Sequence, residues 1–397
     1  MCRAGPYFRP PLDENVPVIN RGRLFGGACA AMFLHGIVLA ILGTLFGLPE
    51  MRARLHVDLV QQGDVFLALF VGVLASTIIA GPVIDSFGNK LVLATCATLV
   101  MLALALLAAA ASFASAAAMA FVLGFGGGGL NTAANALVAD LYAADRGAML
   151  NVVGMFFGVG AVVAPLLTVA VPVTAMLLAA ATLAAACAVT YLLLRFPPPS
   201  RHAGFSLLAS IKAAGLPGVL LLGMVLFFES GNESSLGGWL STYAGSMGAS
   251  PRMATAILAS YWAALMLGRL VAARTLRRVS KPRLVLLSGA TSALGCAVLL
   301  SWRSVPVMFV GALITGLAHA AIYPTTLALA ADEHPRLAGT VFGFLFAAGL
   351  VGGMVFPWSI GHLSERFGFR AAMLFPLAGA ACITALRGRS FTFHFLH

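Results

Sequence analysis

"FPPPSRHAGFSLLASIKAAG", residues 196–215, is the longest polar connection in this chain of 397 residues, and it lies almost at the centre. The sequence on either side is dominated by apolar runs. Of all residues 60% are hydrophobic and 9% charged, with a mean hydropathy of +0.98, whereas a soluble domain carries about 25% charged residues. Such a balance identifies an integral membrane protein. Runs of about 20 apolar residues, the length that crosses a hydrocarbon core as a helix, recur twelve times: near 25–48, 63–83, 91–113, 116–142, 148–171, 173–195, 217–244, 253–273, 283–302, 305–330, 338–360 and 370–387. Six precede the central connection and six follow it. Continuous apolar runs, rather than alternation with a period of two, exclude a membrane barrel.

The expected fold class is therefore an all-α membrane protein with twelve transmembrane helices in two six-helix bundles. The division that goes with it is a cytoplasmic tail 1–24, a first bundle 25–195, a cytoplasmic linker 196–216, a second bundle 217–387 and a tail 388–397. The segment before Phe25 holds four arginines and several prolines, too polar and too long for the n-region of a cleavable signal, so the first span is expected to remain in the mature protein. If the N-terminus and every even-to-odd connection share one side, 18 of the 24 Lys and Arg fall there. By the positive-inside rule that side is cytoplasmic, with both termini inside a cell membrane and, in a bacterium, the inner membrane. The net charge of +11 is then a topology signal with some contact to anionic lipid, and no basic-aromatic module points to nucleic acid. Five of the six cysteines lie in apolar spans and no C-x-x-C occurs, the pattern of small packing residues rather than of disulfides or metal ligands.

The halves echo each other. Gly147 and Pro165 recur as Gly339 and Pro357 at an offset of 192, and Gly160 falls on Gly352. A parallel repeat of this kind is expected of two bundles that face each other across a central cavity. Between spans 2 and 3, "GPVIDSFGNK" (81–90) resembles the signature loop of the major facilitator superfamily, G-x-x-x-D-R-x-G-R-K, through Gly81, Asp85, Gly88 and Lys90. Ser86 and Asn89 stand where that signature has arginines, which implies a weaker conformational latch. The counterpart between spans 8 and 9, "GRLVAARTLRRVSKPR" (268–283), keeps Gly268, Arg269 and the basic cluster without an acid. The resemblance implies the major facilitator fold, with both loops acting as conformational switches. "GLNTAANALV" (129–138), "LNVVGMFFGVGAVVAP" (150–165), "ESSLGGWLSTYA" (233–244) and "AIYPTTLALA" (321–330) are similar to segments of the fucose–galactose–proton symporters and sodium-dependent glucose transporters, families that carry monosaccharides.

Polar side chains inside spans carry the functional expectation, because each is unfavourable by several kcal/mol, on the order of 2 to 7 for an unpaired amide, unless it finds a cavity or a partner. Asn131 and Asn135 lie one turn apart in span 4, a stripe of donors and acceptors suited to sugar hydroxyls. Helix-to-helix hydrogen bonding is the alternative. His319 and Tyr323 repeat the spacing in span 10, beside Pro324, and Asn151 adds an amide in span 5. Span 7 holds Glu229 and Glu233, the acids placed within a span, again one turn apart. Its Gly231, Gly237 and Gly238 argue for a broken helix whose free carbonyls coordinate a cation or sugar. Trp239 and Tyr243 offer flat faces for a sugar ring, or else interfacial anchors.

No phosphate-cradling motif follows any of the three lysines, and no His–Glu zinc motif or paired aspartates occur, so neither an ATP-driven pump nor an intramembrane enzyme is expected. No cofactor or metal is called for. The expected function is secondary active transport of a small polar solute, a monosaccharide first, with a proton or sodium as co-substrate, by a monomer in the bilayer. The symporter families carry acids where this chain has Asn131 and in span 1; here coupling would move to Glu229 and Glu233. An uncoupled sugar uniporter, or a drug or metabolite exporter of the same fold, is the second reading.

Overall fold

The computed structural model describes residues 20–143, 145–199, 215–216, 218–301, 304–334 and 337–394. Most of the tail 1–24 and of the linker 196–216 lies outside them, as do residues 395–397. Twelve helices of 21 to 30 residues account for nearly all of the described chain. Spans 1 to 6 are Arg21–Phe46, Leu59–Phe87, Asn89–Ala109, Phe113–Leu141, Arg146–Ala170 and Val173–Leu193; spans 7 to 12 are Val219–Ser246, Pro251–Thr275, Lys281–Ser301, Val305–Glu333, Ala338–Phe367 and Leu374–His394. Two short helices, Pro49–Leu55 and Phe369–Ala372, were not apparent in the apolar pattern because each is too short to cross a membrane. The last helix also runs past residue 387, into what the sequence suggested was tail.

Local chemistry starts these helices. Asp58 and Gln61 form a reciprocal capping box at the head of span 2, and Ser112 with Ser115 does the same for span 4, satisfying backbone donors that have no partner within the helix. Gly88, between spans 2 and 3, has φ +83°, and Gly368, after span 11, has φ +81°. Both end one helix and begin the next, and a side chain there would be strained. The sequences around them share a pattern, "GPVIDSFGNK" and "GHLSERFGFR".

The internal repeat is visible in the packing. Gly160 of span 5 lets its helix approach the backbone of Phe33 in span 1, and Gly352 of span 11 approaches Phe227 of span 7 in the same way. Arg54 donates to the carbonyl of Leu107 at the end of span 3 (3.2 Å), and Arg370 to that of Leu300 at the end of span 9 (2.8 Å). Each guanidinium thus adds a donor to a carbonyl in the last turn of a helix. Between halves, span 1 packs on span 7, span 2 on span 11 and span 5 on span 8.

Span 7 corrects an expectation: it is one continuous helix from Val219 to Ser246. In hydrocarbon an unbroken helix keeps its backbone hydrogen bonds internal. Its glycines serve close approach instead. Gly231 leaves room for Phe356, Gly237 for Trp262, and Gly238 for Phe66, while Gly43 of span 1 sits against the carbonyl of Gly237.

Candidate functional site

Among the described residues, hydrogen bonds between the two halves cluster at the end away from the basic loops, called here the outer end. Ser241 donates to the carbonyl of Gly43, and Thr242 to that of Phe46 at 3.1 Å. Gln62 Nε2 donates to Thr242 at 3.0 Å, and the Trp358 indole N–H to Asp64 at 3.0 Å. Trp239 is wholly buried, donates to the carbonyl of Pro357 at 3.0 Å and lies edge-on between Phe66 and Phe369. Tyr243, also buried, packs on Phe369. The expectation that these two rings stack on a solute is therefore corrected for this conformation: they form the outer seal. Their buried position follows from the glycines beside them, which draw spans 1, 2, 7 and 11 close together.

Beneath the seal lies a cavity of about 20 Å³, lined by Leu39, Phe66, Leu69, Phe70, Glu233, Ser234, Gly237, Gly238 and Trp262. That volume suits one water molecule. Glu233 and Ser234 bring polar atoms to it, Trp262 and the phenylalanines bring ring faces and edges, and the buried Trp262 N–H has no hydrogen-bond partner. Glu229 lies one turn from Glu233 and is fully buried; Ser230 donates to its Oε2 at 3.3 Å. Arg269 is within electrostatic reach of both acids. It lies inside span 8, which corrects its assignment to a switch loop. It donates weakly to the carbonyl of Gly154 (3.5 Å) and stands 5.8 Å from the centre of the Phe157 ring, both in span 5. Gly268 is likewise inside the helix, packed on Leu317 and Ala320 of span 10.

Toward the basic end the walls are less covered. Asn131, Asn135 and Tyr323 are part-exposed, and Tyr323 stacks on Phe346, itself 42% exposed. Asn135 donates to the side chain and to the backbone of Asn131. Asn151 is exposed near the start of span 5, apart from this group. His319 is a further correction. It is buried, with Nδ1 2.9 Å from the Tyr261 hydroxyl and Nε2 2.8 Å from the Ser292 hydroxyl. Both ring nitrogens are paired inside the second bundle, and His319 lines neither the mid-depth pocket nor the cavity between spans 1, 5 and 6. Of the loop residues, Gly81 and Asp85 fall in the last turns of span 2, Gly88 forms the hinge and Lys90 begins span 3. Sequence reading missed Phe66 and Phe70, whose one-turn spacing in span 2 was the available signal. A larger cavity of about 660 Å³ lies between spans 1, 5 and 6, but Phe25, Phe33, Phe156 and Leu183 make it apolar, with no chemistry for a polar solute.

Two facing bundles, a seal at one end and a polar pocket at mid-depth describe an alternating-access carrier, and comparison with known proteins agrees. The sequence profile described as Major Facilitator Superfamily matches residues 28–228 and 222–389. The chain belongs to the major facilitator superfamily. Among curated proteins, Protein TsgA of Salmonella typhimurium is 24% identical over 368 residues, covering 89% of this chain and 91% of that protein. Among solved structures, a mutant of the nucleoside transporter NupG superposes with a TM-score of 0.79 at 16% identity, covering 93% of this chain and 100% of that one. The D-xylose-proton symporter gives 0.73 at 13% identity, covering 92% and 96%. At such identities these structures speak for the fold of this superfamily member, not for its substrate.

Proposed function

We propose that this protein is a secondary transporter for a small polar solute, a monosaccharide, coupled to a proton or sodium through Glu229 and Glu233. The observation that carries this reading is the mid-depth lining in which Glu233 and Ser234 share the wall with Trp262, Phe66 and Phe70, around a space that in this conformation takes one water and must widen as the bundles part to admit a solute. Carboxylate and hydroxyl oxygens beside aromatic rings complement a solute whose rim is hydroxylated and whose faces are C–H. Asn131, Asn135 and Tyr323, part-exposed on the way to the basic end, would extend the path. With the basic end cytoplasmic by the positive-inside rule, the sealed end is the one facing away from the cytoplasm.

The test is uptake by proteoliposomes of a panel of labelled monosaccharides and lipophilic cations, with and without imposed proton and sodium gradients. Concentrative uptake of one sugar under one gradient is expected. Uptake of that sugar only down its own gradient would make the protein a uniporter. Transport of lipophilic cations instead would favour an exporter, the reading to which the apolar cavity between spans 1, 5 and 6 lends support.

A further inference from the structure

Glu229, Asn232 and Ser235 follow one another at three-residue intervals in span 7, which places neighbouring members of the series on adjoining parts of one helix side. All three are wholly buried. None of Glu229 Oε1, Asn232 Oδ1, Asn232 Nδ2 and Ser235 Oγ has a hydrogen-bond partner in the protein. Four orphaned polar atoms along one side of a membrane helix are highly unfavourable, since each has given up its hydration without gaining a partner, and they point to a ligand. We infer that this seam binds one sodium ion, held by Glu229 and Asn232 directly and by Ser235 directly or through a water. The inference rests on the coupling role proposed for Glu229 and names the ion.

Charge decides the valence. Glu229 and Glu233 lie within reach of one arginine, Arg269, and neither acid makes an ion pair with it among the described residues. Glu229 and Glu233 also lie within hydrogen-bonding reach of each other, a pairing that needs a proton on one of them; once that proton leaves, two carboxylates against one guanidinium leave a single negative charge in a low-dielectric core, where an uncompensated charge is strongly disfavoured. One monovalent cation balances it. No group of three or more His, Cys, Asp and Glu suited to a metal occurs among the described residues, which argues against a transition-metal or divalent site. A proton would balance the charge equally well, but it would leave the Asn232 and Ser235 oxygens as orphaned as before. Sodium, a hard cation that takes carboxylate, amide and hydroxyl oxygens together, answers both the charge and the oxygens. Span 12 closes over the seam: a Cβ on Gly379 would collide with Asn232 Oδ1, so only glycine lets span 12 pack here without displacing a proposed ligand atom. Asn232 and Ser235 lie off the pocket side of span 7, where Glu233 and Ser234 sit, and Glu229, one turn from Glu233, borders both.

The experiment is equilibrium binding of radioactive sodium to the purified protein without any solute, paired with thermal unfolding in sodium, potassium and choline chloride. The wild type should bind one sodium per chain and melt higher in sodium than in the other two salts. Asn232→Leu should weaken sodium binding about tenfold or more, Asn232→Asp should retain it, and Glu229→Gln should abolish it. Ser235→Ala and Gly379→Ala, smaller changes, keep the test open if Asn232→Leu does not fold; each should weaken sodium binding. Absence of sodium binding by a folded wild type overturns the site, whatever the protein transports. Sodium binding that none of these substitutions alters overturns it as well. Because solute is left out, the sugar reading can fail while the site stands, and the reverse.

Discussion

Asn135 Nδ2 lies 2.9 Å from Asn131 Oδ1 and 2.9 Å from the Asn131 carbonyl, so two amides one turn apart in span 4 satisfy part of each other's need. The pairing explains how two carboxamides persist among glycines and alanines. It also arranges them: with one donor and one acceptor turned inward, the remaining amide hydrogens of Asn131 and the carbonyl of Asn135 are left for a solute on this part-exposed face.

If the proposed function holds, Asn131→Ala removes a solute contact as well as the acceptor that orients Asn135. Solute binding should weaken by about 1 to 3 kcal/mol, with folding retained because Asn135 keeps the backbone acceptor. Calorimetric titration measures it. Unchanged affinity in a folded variant would reduce the pair to helix packing.

Trp239 joins the halves at the outer seal in this conformation, packed between Phe66 and Phe369. Trp239→Ala should lower stability by about 3 to 5 kcal/mol and shift the protein away from the outwardly closed state. Trp239→Phe keeps the ring between Phe66 and Phe369 but loses the bond to Pro357, and should fall between. Thermal unfolding, with alkylation of a cysteine introduced at Ser241, reads both effects. Equal labelling of all three proteins would count against a seal.

Glu229→Gln holds the shape and fixes the charge at zero. A coupled carrier should then lose uphill accumulation yet keep counterflow, which requires alternating access but no ion gradient. Accumulation and counterflow in the same proteoliposomes separate the two. Undiminished accumulation would pass the coupling role to Glu233.

His319→Ala leaves the Tyr261 and Ser292 hydroxyls without their partner inside the second bundle. A loss of about 2 to 4 kcal/mol in stability is expected, with solute affinity little changed in protein that remains folded. A large loss of affinity at unchanged stability would return His319 to the transport path.

Span 7 shows where sequence reasoning stops. Its acids, its glycines and its aromatic rings were all apparent, and the acid pair does reach the centre of the molecule. Whether the glycines break the helix or receive rings was not legible, because glycine permits both and the choice depends on Phe66, Trp262 and Phe356, from spans 2, 8 and 11. Trp239 posed the same problem: stacking on a solute and sealing a gate need the same ring. His319 is the converse case, a polar residue whose partners Tyr261 and Ser292 lie 58 and 27 residues away.

Hydropathy, the central polar connection and the repeat at an offset of 192 determined a twelve-span membrane protein of two related halves, because a bilayer demands about 20 apolar residues for each crossing whatever the helices pack against. The signature between spans 2 and 3 narrowed this to the major facilitator superfamily. Only the tertiary structure decided which polar residues meet: Glu233 at the pocket, Glu229 behind it with Asn232 and Ser235, Arg269 facing span 5, and Trp239 in the seal. Span identity is a property of local composition. A site between bundles depends on the rotation of each helix about its axis and on contacts across more than a hundred residues of sequence, such as Trp239 to Pro357, and no local pattern carries that information.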